Sequence, residues 1–141
     1  MISKEPAIDI IPLLDEGLLC NMDIVDAVLK DVEDPYGRPT DIIGFDLSGK
    51  SIADALLPIV GQKEICFFDE NVKSDSVFHY LDFANMLEKT EIMIFTTELP
   101  SRYYGQLNKL NRKVKIFIPK GLAKTISVLE EKHYGDNIVL F

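Results

Sequence analysis

Five short apolar runs set at regular intervals constrain this chain more than any other feature. They are DIIGF (41–45), EICFF (64–68), EIMIF (91–95), VKIFI (114–118) and NIVLF (137–141). Each is rich in β-branched and aromatic side chains and is bounded by polar residues, Gly or Pro. Continuous apolar character over so few residues is the pattern of a strand buried on both faces. Helical spacing fills the intervals. Ile52, Ala55, Leu56 and Ile59 share one face, as do Val77, Leu81, Ala84 and Leu87. Tyr104, Leu107 and Leu110 form a third stripe, and Leu122, Ile126 and Leu129 a fourth. Strands alternating with helices of this length make βαβ units around a parallel sheet. The expected fold is an α/β/α three-layer sandwich with a doubly wound, mainly parallel sheet of five or six strands, flavodoxin-like or Rossmann-like.

The chain of 141 residues reads as one domain, residues 1–141. The clearest irregular stretch is EDPYGRPT (33–40), where two prolines and a glycine stop a helix. Before it, Leu18, Met22, Val25, Leu29 and Val32 define a helix face. AIDIIPLL (7–14) fits a strand better than a helix, because Pro12 inside a helix would cost about 3 kcal/mol. Ser74 and Ser101 are placed to cap helices, and Gly135 to end the last one.

Composition narrows the function classes. No apolar run approaches the ~20 residues of a membrane span, and the first ten residues lack a signal-peptide core, so a cytoplasmic protein without membrane contact is expected. Cys20 and Cys66, each within an apolar run, read as reduced core thiols, and no Cys/His set has zinc-site spacing. The net charge is −8, which disfavours nucleic-acid binding. The charge is uneven: residues 1–100 carry 7 Lys/Arg and 20 Asp/Glu, residues 101–141 carry 8 and 3. A basic third can dock an acidic partner, or be ordinary solvated surface.

Residues 44–51, GFDLSGKS, spell the phosphate-loop pattern G-x-x-x-x-G-K-[ST]. In that reading Gly44, Gly49, Lys50 and Ser51 would bind the phosphates of a nucleotide or phosphorylated metabolite. ICFFDE would supply the apolar-run-then-acid segment that positions magnesium. Against it, Gly44 sits within the apolar run, and Asp46 would put a carboxylate inside an anion nest. The competing reading has Gly44 in a strand and a helix starting at Ser48 or Gly49.

Ligands of open parallel sheets bind beyond the carboxyl ends of the strands. The residues expected there are Asp15, Glu16, Asp46, Asp69, Glu70, Asn71, Thr96, Thr97, Lys120 and Gly121. Carboxylates in a group suit Mg²⁺, and a carboxylate can also attack phosphorus. The same residue types are common at strand ends for turn formation alone.

ICFFDENV, IMIFTTE and KIFIPKG resemble the third to fifth strands of response-regulator receiver domains. The separations are 27 residues from Asp69 to Thr96 and 24 from Thr96 to Lys120. The resemblance implies Asp69 as phosphoryl acceptor, with Thr96 and Lys120 sensing the phosphoryl oxygens and Phe117 as the coupled aromatic. It implies Mg²⁺ held by Asp15, Glu16 and Asp69, with Asp46 assisting. The match departs from the family: DENVKSD stands where a Met-Pro turn is usual, and the Lys-Pro dipeptide is inverted to Pro119-Lys120.

His79 and His133 have no Ser or Cys nucleophile nearby in sequence, so a hydrolase triad has no support. Arg102, Tyr103 and Tyr104 are residue types enriched at interfaces and form the candidate contact for a protein partner. A homodimer stays open. Three functions follow: a small regulatory or binding module of receiver type, a nucleotide- or phosphometabolite-binding protein or enzyme, or a non-catalytic subunit of a larger assembly.

Overall fold

The computed structural model describes residues 24–44, 47–61, 64–69, 77–78 and 86–141. Residues 24–31 form helix α1. Strand β1 (Thr40–Ile43) leads into helix α2 (Leu47–Val60), followed by β2 (Ile65–Phe68) and the two-residue β3 (Val77–Phe78). After β4 (Ile92–Phe95) come a 3-10 helix (Ser101–Lys109), β5 (Lys115–Ile118), helix α3 (Ala123–Glu131) and β6 (Ile138–Leu140).

The six strands make one parallel sheet in the order β3-β2-β1-β4-β5-β6. The doubly wound α/β class expected from the apolar runs is the one adopted. All five runs supply strands. β1 is central: Ile42 lies in register with Phe67 of β2 and Ile94 of β4, and Ile43 with Phe68 and Phe95. Side chains that alternate along each strand divide between two cores. Ile42, Ile92, Ile94 and Phe117 pack on α1 and α2 through Ile24, Val28, Ile52, Leu56 and Val60. Ile43, Phe68, Met93, Phe95 and Ile116 pack on Tyr103, Leu107, Leu129 and Tyr134 of the other layer. Burial of the central strands on both faces explains their unbroken apolar composition.

The strand expected at 7–14 lies outside the described residues, as do Ser74 and Cys20. Among the described residues the strand not expected is β3, whose Val77 fits a helical stripe by spacing alone. Val77 and Phe78 pair with Phe67 and Phe68, and a two-residue strand is too short to leave a periodic trace. In α1 the buried stripe is Ile24, Val28 and Val32, while Leu29 is exposed. Two apolar stripes one residue apart are written in that segment, and the sheet selects the β-branched one.

The segment after Pro100 winds as 3-10, and Pro100 precedes it without any side-chain cap bond, so Ser101 is its first residue and not its cap. Helix α3 does not end at Gly135. His133 takes the left-handed conformation (φ 70°). Its N–H donates to Glu130 O, and the Tyr134 N–H donates to Leu129 O. This paired closure is a Schellman motif built on histidine.

Candidate functional site

The order 3-2-1-4-5-6 belongs to Rossmann sheets, whereas receiver-type sheets run 2-1-3-4-5. From β1 the chain winds outward through β2 and β3. β4 then returns to the opposite side of β1. In open α/β sheets the ligand crevice lies at such a reversal, here between the carboxyl ends of β1 and β4. Gly44 and Thr96 are the first residues beyond those ends.

These two residues interlock. The Gly44 N–H donates to Phe68 O at 2.8 Å, and the Thr96 N–H and hydroxyl both donate to Ile43 O at 2.9 Å. Gly44 has φ 120°. A Cβ added to it would lie 2.0 Å from Thr96 Oγ1. Glycine is required twice over, for backbone conformation and for space.

Helix α2 begins at Leu47, so only Phe45 and Asp46 join Gly44 to it. Gly49, Lys50 and Ser51 are helix residues: Gly49 is buried and Lys50 exposed. A phosphate loop places its Lys-Ser at the start of the helix, after a longer loop. Within GFDLSGKS, Gly44 directly follows the end of β1 and residues 47–51 belong to helix α2.

The residues drawn together by the receiver resemblance are spread along the rim. Asp69 follows β2, Thr96 follows β4 and Lys120 lies two residues beyond β5. Because β1 runs between β2 and β4, the strands carrying Asp69 and Thr96 are roughly 10 Å apart. Thr96 and Lys120 follow adjacent strands, with Lys120 exposed. Phe117 is buried against α2. Asp15, Glu16 and Asp46 lie outside the described residues, and among the described residues no group of three His, Cys, Asp or Glu side chains could hold a metal ion. Nor is any described helix long and apolar enough to cross a membrane.

Beside the rim, Glu98 holds the amino end of α3. Its Oε1 accepts from the Thr125 N–H at 3.1 Å and the Thr125 hydroxyl at 2.6 Å, while Thr125 Oγ1 accepts from the Leu99 N–H. Arg102, Tyr103 and Tyr104 differ in burial. Tyr103 is buried edge-on against Phe68, ring centroids 5.0 Å apart, and Tyr104 is half-buried, which leaves Arg102 as the exposed member.

Among the described residues the most perturbed acid lies elsewhere. Asp41, inside β1, is 1% exposed, and neither carboxylate oxygen has a hydrogen-bond partner. Burial pushes it up to about 8. Burial also pushes the neighbouring Cys66 thiol up to about 11, with the Asp41 and Glu64 charges adding to the effect. Such a thiol stays protonated and unreactive at neutral pH.

No protein-family model and no curated protein matches the chain. Solved structures do. The chain is similar to a dipicolinate synthase subunit from Bacillus halodurans, at 17% identity over 89% of this chain and 43% of that one, with a TM-score of 0.62. It is also similar to the NAD+-bound 3-phosphoglycerate dehydrogenase of Entamoeba histolytica, at 14% identity over 77% and 37%, TM-score 0.53. A phosphoglycerate oxidoreductase from Vibrio cholerae matches at 14% over 77% and 38%, TM-score 0.53. These likenesses bear on the fold. The chain spans less than half the length of each of the three proteins.

The sheet order gives GFDLSG (44–49) a second pattern to match besides the phosphate loop. It matches two of the three glycines of the dinucleotide pattern G-x-G-x-x-G, at Gly44 and Gly49, and departs from it at Asp46. Asp69 follows Gly49 by 20 residues and ends β2, where that pattern places the acid that binds ribose hydroxyls. The spacing from Gly49 to Asp69 is a signal in the sequence that the phosphate-loop and receiver readings leave unused.

Proposed function

We propose that this chain is a nucleotide-binding domain of Rossmann type, with its ligand in the crevice beyond β1, β2 and β4. The observation that carries the reading is the sheet order, which puts the reversal point beside Gly44 and leaves Asp69 on the adjoining strand. Asp69 would accept hydrogen bonds from the ribose hydroxyls, a pairing of a charged acceptor with two neutral donors. Dehydrogenases of the same fold, one of them solved with NAD+, support the ligand class. The chain would act alone as a binding module or as the nucleotide-binding part of a larger enzyme or assembly.

The receiver reading draws less support, because β1 separates the proposed acceptor Asp69 from Thr96. Isothermal titration with NAD+ and with adenosine tests the proposal. Saturable binding that weakens tenfold or more in Asp69→Asn is expected. No binding of either ligand at millimolar concentration would refute it.

A further inference from the structure

The sheet ends on β6, whose outer side carries no further strand among the described residues. The Phe141 N–H donates to Ile118 O and the Lys120 N–H to Phe141 O, so Phe141 uses both its backbone groups toward β5. Direction alternates along a strand, which turns the N–H and C=O of Ile138 and Leu140 outward. Leu140 is 48% exposed. Free edges are usually blunted by a charge, a proline or a bulge, and IVLF (138–141) has neither charge nor proline. The charges stand at its two ends instead. Lys120 adjoins the last residue through the bond just given. Asn137 Nδ2 donates to Arg112 O and Val114 O, which sets Arg112 and Lys113 beside the first. All three cations are exposed, and among the described residues none pairs with a carboxylate. Asp136, also exposed, offsets only part of the charge at the Arg112 end.

We propose that β6 is a docking edge for a partner protein that adds a strand of apolar residues flanked by acids. Backbone pairing with Ile138 and Leu140 supplies the attachment. The acidic flanks meet Lys120 at one end and Arg112 with Lys113 at the other, which fixes direction and selects the partner. A second copy of this chain is the wrong occupant. Two identical edges meet antiparallel about a two-fold axis. That pairing would set Lys120 of each copy against Arg112 and Lys113 of the other, and like charges opposite one another are destabilising. The edge is separated from the crevice at β1 and β4 by β5, so it stands or falls without the nucleotide site.

The test is fluorescence anisotropy of the full chain with two labelled synthetic peptides, EETVIVTVEE and its lysine-flanked counterpart KKTVIVTVKK. Saturable binding of the acid-flanked peptide below millimolar concentration is expected, with the lysine-flanked one weaker by about tenfold or more. Lys113→Glu combined with Lys120→Glu should exchange that preference. Leu140→Pro removes an outward N–H that β5 does not use, so it should weaken both peptides by about tenfold while circular dichroism stays unchanged. Hydrogen exchange at the Ile138 and Leu140 amides of the wild-type chain should slow when the acid-flanked peptide is bound, and this readout carries the test if Leu140→Pro does not fold. No saturable binding of the acid-flanked peptide at millimolar concentration would overturn the proposal. So would a flank preference that the charge reversal leaves in place, or binding that leaves Ile138 and Leu140 exchange unaltered. A wild-type dimer in sedimentation that Leu140→Pro dissociates would also overturn it, and would give the edge to a second copy.

Discussion

Asp41 and Cys66 lie in register on adjacent parallel strands, an unpartnered carboxyl group beside a half-buried thiol in the middle of the sheet. With the carboxyl pushed from 3.8 to about 8, the folded chain keeps a proton that the unfolded chain has lost across that window. Stability from this group is therefore fully present below about 3.8, falls as pH rises, and levels off above about 8. Within the window the loss reaches at most about 1.4 kcal/mol per pH unit. Asp41→Asn should flatten the decline in melting temperature between pH 5 and pH 8.5, which thermal unfolding followed by circular dichroism would show. Equal slopes for the two proteins would rule out Asp41 as their source.

Gly44→Ala should cost about 2–4 kcal/mol, combining a strained backbone with the collision at Thr96 Oγ1. Thr96→Ala in the same chain removes the colliding oxygen but not the strain, so the double variant should recover part of the loss. Chemical denaturation of the four proteins in the cycle measures this. Simple additivity would mean that the two residues do not interact.

His133→Gly should stabilise the chain by about 0.5–1 kcal/mol, since glycine holds a left-handed backbone without the Cβ penalty. An unchanged or lower denaturation midpoint would show that the histidine side chain contributes more than its conformation costs.

Tyr134→Phe removes the hydroxyl that donates to Leu110 O at 2.6 Å and ties the end of α3 to the end of the 3-10 helix. A loss of about 1–2 kcal/mol is expected, because the carbonyl loses a buried partner. The ring itself stays under the Arg112 guanidinium, 4.2 Å from its centroid, so the fold should persist. A neutral effect on urea denaturation would mean that water replaces the bond.

How much of the fold is legible in the sequence depends on length and repetition. β1, β2, β4, β5 and β6 are legible because burial on two faces leaves an apolar run several residues long. β3 is not, since Val77 and Phe78 also fit a helical spacing. The order of strands is beyond reach as well: DIIGF and EICFF look alike whether they stand third or fourth across a sheet. Asp69, Thr96 and Lys120 are correctly expected at strand ends, but their mutual distances depend on that order. Gly44 is visible as a glycine, while the reason for it, Thr96, lies 52 residues further along the chain. Tyr103 and Arg102 are neighbours of opposite fate, which a pattern of residue types does not reveal.

The Thr96 hydroxyl bond to Ile43 O spans 53 positions in the chain. During synthesis β1, β2 and β3 therefore emerge as a partial sheet whose inner edge must wait for β4. That edge is β1, buried along its whole length in the finished sheet, and an open edge of this kind invites pairing with another chain. Non-local pairing of this sort slows folding. A nascent chain stalled before Ile92 is consequently the form most in need of a chaperone, and truncation there should yield aggregate where truncation after β6 yields folded protein.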